Sequence, residues 1–327
     1  MKLSLFILIL GSALVNTSVV YAAKKKPADQ RTVVCESQLL SSFLPSEISA
    51  TRKEKLEKLV GDLKHWLGDL QFLQSTKIEL SEENKAHSGP NKISISQSYL
   101  KNWKEGQVVV VHEIGHQYFR DAVIKQSSQF ADLAHRHKKY LDSWQRGGEL
   151  LDEIMEVHAK QSGPNGEAYL DALKRLNEEN LANGEFLKSY DQGYEKMTVY
   201  NEFFADFFTV LFFDDPLAVS RTMSDEKEKV GRSFAERVDP NTWDSEAALH
   251  SYFSETMVIY YHLSPSKYVA WKVAERLKEK GFSPRQILDA VFKAIASDIV
   301  AHDFQDPIER SVLEVNQSFI LKLMDLL

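Results

Sequence analysis

Two histidines four residues apart, with a glutamate directly after the first, stand out from the rest of the chain. The pentapeptide H-E-I-G-H occupies residues 112–116 and follows four consecutive valines. On a helix, residues four apart lie on one face, so His112 and His116 could bind one metal ion from the same side. Glu113 would then lie beside the position that a catalytic zinc leaves open for water. The pattern predicts metal-assisted hydrolysis.

Gly115 lies inside this motif, in the interior of the predicted helix. A glycine in a helix interior costs about 1 kcal/mol relative to alanine. We therefore expect Gly115 to let another backbone segment approach closely. The alternative interpretation is a solvated helix that carries two histidines by chance. The four valines before the motif argue against it, because a solvated helix would expose them to water.

A catalytic zinc is usually held by three protein side chains, so a third ligand is needed. The apolar stretch 200–208 carries Glu202 and Asp206, four residues apart and therefore on one helical face. Glu202 would complete a His/His/Glu set, and Asp206 could accept the free N–H of a ligand imidazole. A buried carboxylate pair bonded to arginine or to the backbone is one alternative. His158 is an alternative third ligand.

Other zinc-binding patterns can be compared with the sequence directly. The pattern H-E-x-x-H-x-x-G-x-x-H requires glycine at position 119 and histidine at position 122, where the chain has Phe119 and Ala122. This comparison excludes the metzincin type of site. Three further histidines have polar neighbours and are predicted to be exposed: His65, His87 and His302.

The pair of motifs, H-E-x-x-H at 112–116 and N-E-x-x-A-D at 201–206, resembles that of the gluzincin class of zinc metallopeptidases. Within this class, the E-x-x-A-D form and the segment before the first motif are most similar to the soluble periplasmic relatives of the CAAX prenyl protease superfamily. Thermolysin-like enzymes share the same ligand pattern. The resemblance covers roughly residues 91–210. It implies zinc ligation by His112, His116 and Glu202, with Glu113 as general base and Asp206 behind a ligand.

Composition and motif positions divide the chain into five parts. They are a signal peptide (1–22), a flexible leader (23–50), an upper lobe with the H-E-x-x-H helix (51–124), a helical insertion (125–195) and a helical lower lobe with the third ligand (196–327). The insertion is inferred because about 90 residues separate the two motifs, which departs from the resembled superfamily.

Periodicity predicts an α+β fold that is predominantly helical. Strands are predicted at 76–80 and 92–96, separated by a polar turn at 82–90. The resemblance implies a zincin-like arrangement, with a small sheet over the active-site helix and a helical lobe that supplies Glu202. Helices are predicted at 52–73, 106–123, 196–213, 225–237, 245–258, 266–280, 284–300 and 308–326.

The N-terminal residues predict export. A charged start, an apolar run at 3–15 and the small-residue site at 20–22 indicate a signal peptide cleaved after Ala22. An uncleaved N-terminal anchor is the alternative. No later stretch approaches the roughly 20 apolar residues of a membrane helix. We therefore expect a periplasmic or extracellular protein without a stable membrane span after cleavage.

The cysteine content and the net charge exclude some kinds of stabilisation and some kinds of partner. The only cysteine is Cys35, so an intrachain disulfide is impossible and burial of a core must stabilise the fold. The formal net charge of −7 argues against a nucleic-acid partner. Nothing in the sequence indicates the oligomeric state.

These expectations combine into an exported zinc-dependent endopeptidase that acts on peptides or proteins. Glu113 would take a proton from water activated by Zn²⁺ and deliver it to the leaving amine. The substrate is expected to add as a strand along residues 93–96. An oxyanion donor is expected downstream of Glu202, in the segment 250–253 or in the pair Tyr261-His262, with His250 and His262 as the catalytic candidates.

Two alternatives remain open. One is a zinc hydrolase that acts on a different amide. The other is a non-catalytic, zinc-stabilised module that binds or chaperones exported proteins. Glu113 argues against the second alternative, because a structural zinc site does not need a general base and usually closes with a fourth protein ligand.

Overall fold

A computed structural model describes residues 32–34, 50–73, 76–81, 86–89, 92–125, 170–176, 178, 197–223, 226–243, 258–302 and 307–327. Some sequence-based predictions lie outside these described residues. They concern the signal peptide, Cys35, His158, His250, the predicted helix at 245–258 except its last residue, and most of the predicted insertion at 125–195.

Helices dominate the described part of the chain, as the periodicity predicts. In chain order they are α1 (Ala50–Leu67), α2 (Gln97–Lys101), α3 (Trp103–Lys125), α4 (Thr198–Phe213), α5 (Glu226–Arg232), α6 (Pro240–Trp243), α7 (Val258–Tyr261), α8 (Ser264–Glu279), α9 (Pro284–Ala301) and α10 (Val312–Met324). Within the described ranges, no helix is both long enough and apolar enough to cross a membrane.

Local capping sequences explain where several helices begin and end. Ser283 and Gln286 form a capping box at the start of α9. Ser311 caps α10, which therefore begins later than predicted, after a 3-10 turn at Pro307–Glu309. Helix α1 ends at Leu67 and not at residue 73, because Gly68 adopts a positive φ of 86° and its N–H bonds back to the helix.

A small four-stranded sheet contains β1 (Thr32–Val34), β2 (Lys77–Ser81), β3 (His87–Gly89) and β4 (Lys92–Ser96), in the strand order β1-β2-β4-β3. The two predicted strands are confirmed as β2 and β4, which pair in parallel. Strand β1 lies in the segment predicted as a flexible leader, and β3 lies in the segment predicted as a turn. Both are antiparallel to their neighbours. Three residues are too few to show a periodicity, so only pairing with a neighbour reveals them.

Helices α3 and α4 form the centre of the core. In α4, every residue from Val199 to Leu211 is buried, and the valines before the first motif are largely buried in α3. Phe119 of α3 packs against Phe204 of α4 and Phe292 of α9. The phenylalanines of α4 are thus core residues, as the sequence predicts. This packing places the two motif-bearing helices against each other.

Candidate metal centre

The first motif lies in the middle of α3, with both histidines on one side of the helix. The Nε2 atoms of His112 and His116 are 3.1 Å apart, and the two rings are nearly perpendicular, with an angle of 84°. His116 is buried, and His112 retains 12% of its side-chain exposure. Two ring nitrogens that face one point are what a shared metal ion requires.

Helix α4 brings Glu202 to these histidines, as the sequence predicts. Its Oε2 lies 3.4 Å from His112 Nε2, and its Oε1 lies 3.6 Å from His116 Nε2. One ligand atom from each of the three residues falls within 4.8 Å of the others, so they could hold a metal ion. The histidines lie on α3 and Glu202 lies on α4, far apart in the sequence, and only the tertiary fold brings them together.

Two buried carboxylate oxygens of the cluster make no hydrogen bond to a described residue, which fits a metal ion. Oε2 of Glu202 and Oε2 of Glu113 are buried and have no hydrogen-bond partner among the described residues. Buried carboxylate oxygens without partners are costly, and a cation would remove that cost. Two imidazole nitrogens and one carboxylate oxygen are a donor set that zinc accepts in hydrolytic sites.

The rear of the cluster is held by residues that contact the ligands from the side away from the shared point. His116 Nδ1 lies 3.0 Å from Oδ1 of Asn201, and His112 Nδ1 lies 3.1 Å from Oδ1 of Asp206. The second contact meets the distance of an ion pair but not the geometry of a hydrogen bond. Asp206 thus contacts His112, and Asn201 contacts His116, each at the ring nitrogen that faces away from the other histidine.

Asp206 also contacts two buried cations. Nη2 of Arg232 lies 2.5 Å from its Oδ1, and Nζ of Lys267 lies 2.9 Å from its Oδ2. The sequence leaves open whether Glu202 and Asp206 are a buried carboxylate pair bonded to arginine or to the backbone. Asp206 does bond to an arginine, whereas Glu202 faces the histidines. Sequence reasoning missed both cations, because they lie on α5 and α8 and no motif connects them to Asp206.

Burial and the charges of neighbouring side chains set the pKa values of the three candidate ligand residues. Burial opposes the charged form of His112, but the close contacts with the Asp206 and Glu202 carboxylates and their negative charges prevail and raise its pKa to about 9. Burial lowers the pKa of His116 to about 4. Burial also opposes the charged form of Glu202, yet the nearby histidines hold its pKa below the usual value.

Glu113 and Asp206 differ sharply in their electrostatic surroundings. Burial raises the pKa of Glu113 to about 7. Burial would also raise the pKa of Asp206, but the charges of Arg232 and Lys267 outweigh it and hold that pKa well below the usual value. Glu113 is therefore suited to exchange protons near neutral pH, whereas Asp206 stays ionised.

Of the predicted oxyanion donors, His262 lies within the described residues and His250 lies outside them. His262 is buried, and its carbonyl oxygen accepts a hydrogen bond from Asn316 on α10. The hydroxyl of Tyr260, two residues earlier in the chain, is influenced by the charges of the cluster. The charge of Glu202, followed by burial, raises its pKa to about 12, and its ring lies 5.1 Å from the Arg232 guanidinium. Sequence reasoning selected the neighbouring Tyr261-His262 pair and missed Tyr260.

The predicted substrate-binding strand is already paired on both sides over part of its length. Strand β4 lies between β2 and β3: all five of its residues pair with β2, and Lys92–Ser94 also pair with β3. The prediction that a peptide adds along residues 93–96 is therefore wrong for Ile93 and Ser94. The third strand that blocks it, β3, is further tied to α3, since Arg120 and Gln117 donate hydrogen bonds to the carbonyl oxygen of Gly89.

The predicted surface histidines agree with the structure in part. His65 and His87 are exposed, whereas His302 is partly buried and lies 3.0 Å from the hydroxyl of Ser318.

Comparison of the chain with models of known protein families, with curated proteins and with solved structures found no match. The geometry of the cluster and its chemistry must therefore support any functional assignment.

Proposed function

We propose that the protein is an exported, zinc-dependent metallopeptidase of the gluzincin type with a zincin-like fold. The observation that carries this proposal is the cluster of His112, His116 and Glu202, whose potential ligand atoms lie within 4.8 Å of one another. Glu113, adjacent in sequence to a ligand, keeps a buried carboxylate oxygen without a partner among the described residues. This combination is typical of a hydrolytic centre.

The exposure of the cluster favours a catalytic over a structural role. His112 and Glu202 each retain 12% of their side-chain exposure, whereas Asp206 behind them retains 1%. The cluster is thus reachable from the side of its ligands and closed at its rear. Structural zinc sites usually close with a fourth protein ligand, whereas catalytic sites hold three and leave one position for water or substrate. The cluster contains three such ligands among the described residues.

The roles of the side chains follow from their chemistry. A zinc ion held here would polarise a substrate carbonyl and lower the pKa of a water molecule. Glu113, with its pKa raised to about 7, would accept the proton of the attacking water and return it to the leaving amine. The Tyr260 hydroxyl, with its pKa raised to about 12, stays protonated at neutral pH and would donate a hydrogen bond to the carbonyl oxygen that becomes negative.

The substrate class follows from this chemistry only as far as the bond that is broken. A general base that can return its proton suits an amide, whose amine must be protonated in order to leave. We propose peptides or proteins as substrates. The expected signal peptide places these substrates outside the cytoplasm.

Zinc analysis and cleavage of a peptide library by the purified mature protein test the proposal. We expect one zinc per chain and cleavage that a chelator abolishes and zinc restores. His112→Ala and Glu202→Ala should lose both the metal and the activity, because each removes a ligand. Glu202→Ala with unchanged zinc affinity would place the third ligand elsewhere, and His158 would be examined next.

Glu113→Gln separates an enzyme from a zinc-stabilised binding module. The variant keeps the size of the side chain but cannot take the proton, so it should retain zinc while hydrolysis falls at least about 100-fold. Glu105→Gln, on an exposed residue in the first turn of the same helix, is the matched control and should behave as wild type. Full activity in Glu113→Gln would contradict the peptidase mechanism and favour a structural zinc site.

A further inference from the structure

Lys267 is a fully buried lysine whose ammonium group contacts three acceptors. Its Nζ lies 2.9 Å from Oδ2 of Asp206, 2.9 Å from the carbonyl oxygen of Gly231 and 3.5 Å from that of Tyr260. A lysine ammonium has three N–H donors, so each has an acceptor within reach. Full burial of a lysine is rare and costly unless the charge is paired. Lys267 therefore joins three segments of the chain: α4, α5 and α7.

Arg232 approaches the same carboxylate from another side. Its Nη2 lies 2.5 Å from Oδ1 of Asp206, and its guanidinium lies over the ring of Tyr260. The arginine side chain is 8% exposed. Each oxygen of Asp206 is therefore bound by a different cation, and rotation of the carboxylate would break at least one of these contacts.

A single cation would suffice to neutralise Asp206. The second positive charge is explained by the neighbouring ligand cluster, because Glu202 adds a second buried carboxylate close to Asp206. Arg232 and Lys267 thus set two positive charges against the carboxylates of Asp206 and Glu202. The two cations hold the Asp206 carboxylate beside Nδ1 of His112.

We propose that Lys267 and Arg232 are positioning residues that hold Asp206 against His112, and so preset this ligand histidine for the metal. The proposal rests on the proposed zinc-binding function. Groups behind a ligand histidine fix which ring nitrogen faces the metal and how the ring is oriented, and losing one commonly costs 10–100-fold in affinity. The contacts of the same two residues with Tyr260 attach α7 to the rear of the cluster.

A double-mutant cycle on zinc affinity tests this role. The variants are Lys267→Met, Asp206→Asn and the combination, with affinity measured by chelator competition on protein whose folding is checked by circular dichroism. We expect Lys267→Met to weaken zinc binding at least about 10-fold. The combined variant should bind zinc about as well as Asp206→Asn alone, because Lys267 acts through that carboxylate. Lys272→Met, an exposed lysine on the same helix, should leave the affinity unchanged.

The outcomes distinguish failure of this inference from failure of the proposed function. Wild-type protein that binds no zinc overturns both. Wild-type protein that binds zinc, with a Lys267→Met variant of equal affinity, overturns the inference alone. Additive losses in the combined variant also overturn it, since they would show that Lys267 acts independently of Asp206. Should Lys267→Met not fold, Arg232→Gln replaces it in the same cycle, because it removes the other cation from the same carboxylate.

Discussion

Gly115 of α3 lies directly against the backbone of Ala205 in α4. A β-carbon on Gly115 would lie 2.9 Å from the Cα of Ala205 and 3.2 Å from its carbonyl oxygen. Side-chain carbons do not approach a backbone carbon this closely without movement of one of the two. Because Glu202 precedes Ala205 by one helical turn, this contact also sets the distance from Glu202 to the histidines.

Gly115→Ala should therefore destabilise the protein. Alanine favours a helix by about 1 kcal/mol over glycine, but forcing an extra carbon into a packed contact costs about 1–3 kcal/mol. The clash is with backbone, which cannot rotate away, so we expect a net loss in the free energy of unfolding, measured by urea denaturation. Zinc affinity should fall as well, because α4 must shift.

Gly61→Ala is the matched control for this change. Gly61 lies inside α1, and a β-carbon there would meet nothing within 4 Å. The same substitution should stabilise the protein at this position by about 0.5–1 kcal/mol. Equal effects at the two positions would contradict the proposed close approach.

The sequence predicts this part of the site well because its signals are local or chemically specific. The four-residue spacing of His112 and His116 defines a face, and the cost of glycine in a helix points to a crossing at Gly115. Glu202 and Asp206 could be selected because carboxylates in an apolar helix require a partner. The structure brings these residues together, and the close approach at Gly115 is confirmed.

The other parts of the site depend on contacts between segments that are far apart in the sequence. No local sequence pattern predicts such contacts. Lys267 has no neighbour in sequence that reveals its burial, and its partner Asp206 is 61 residues away. Tyr260 has the same side chain as the adjacent Tyr261, and only the fold reveals that the charge of Glu202 acts on Tyr260. The central place of β4 depends on β3, a strand too short to be predicted from periodicity.

Metal-free protein should show a pH-dependent stability difference between Glu113→Gln and wild type. Burial raises the pKa of Glu113 from 4.5 to about 7 in the folded state. The stability that this shift contributes is present below pH 4.5 and is lost as the pH rises through 7. Glutamine does not ionise, so the variant avoids this loss.

We therefore expect Glu113→Gln to gain about 1–3 kcal/mol over wild type between pH 5 and pH 8, measured by urea denaturation in the presence of a chelator. Glu105→Gln should show no such gain, since Glu105 is exposed. A difference between Glu113→Gln and wild type that does not change with pH would argue against a buried, proton-exchanging Glu113.

Zinc affinity should rise with pH, with a slope set by His112. The pKa of this residue is raised to about 9 in the metal-free protein, so a proton must leave it when the metal binds below that pH. His116, with its pKa lowered to about 4, and Glu202, with a lowered pKa, release no proton near neutrality. We expect the affinity to increase about tenfold from pH 7 to pH 8, with about one proton released per zinc.

Chelator competition across this pH range and proton release in weakly buffered solution measure the two quantities. Asp206→Asn removes the carboxylate whose contact and charge raise the pKa of His112, so its slope should be smaller than that of wild type. A flat profile in wild type would show that His112 is already neutral at pH 7 and that the influence of Asp206 on it is weaker than the geometry indicates.

Tyr260→Phe tests the hydroxyl that we assign to the oxyanion. Phenylalanine keeps the ring that lies beside Arg232 but removes the only donor of the side chain. Loss of one oxyanion donor costs about 100–1000-fold in kcat. We expect kcat to fall by that order while zinc content and KM change little, because the hydroxyl acts mainly in the transition state.

Tyr268→Phe, in which the ring contacts the exposed Lys272, is the matched control and should keep wild-type kcat. An unchanged kcat in Tyr260→Phe, with zinc bound, would assign the oxyanion donor to another residue, and His250 and His262 would be replaced in turn.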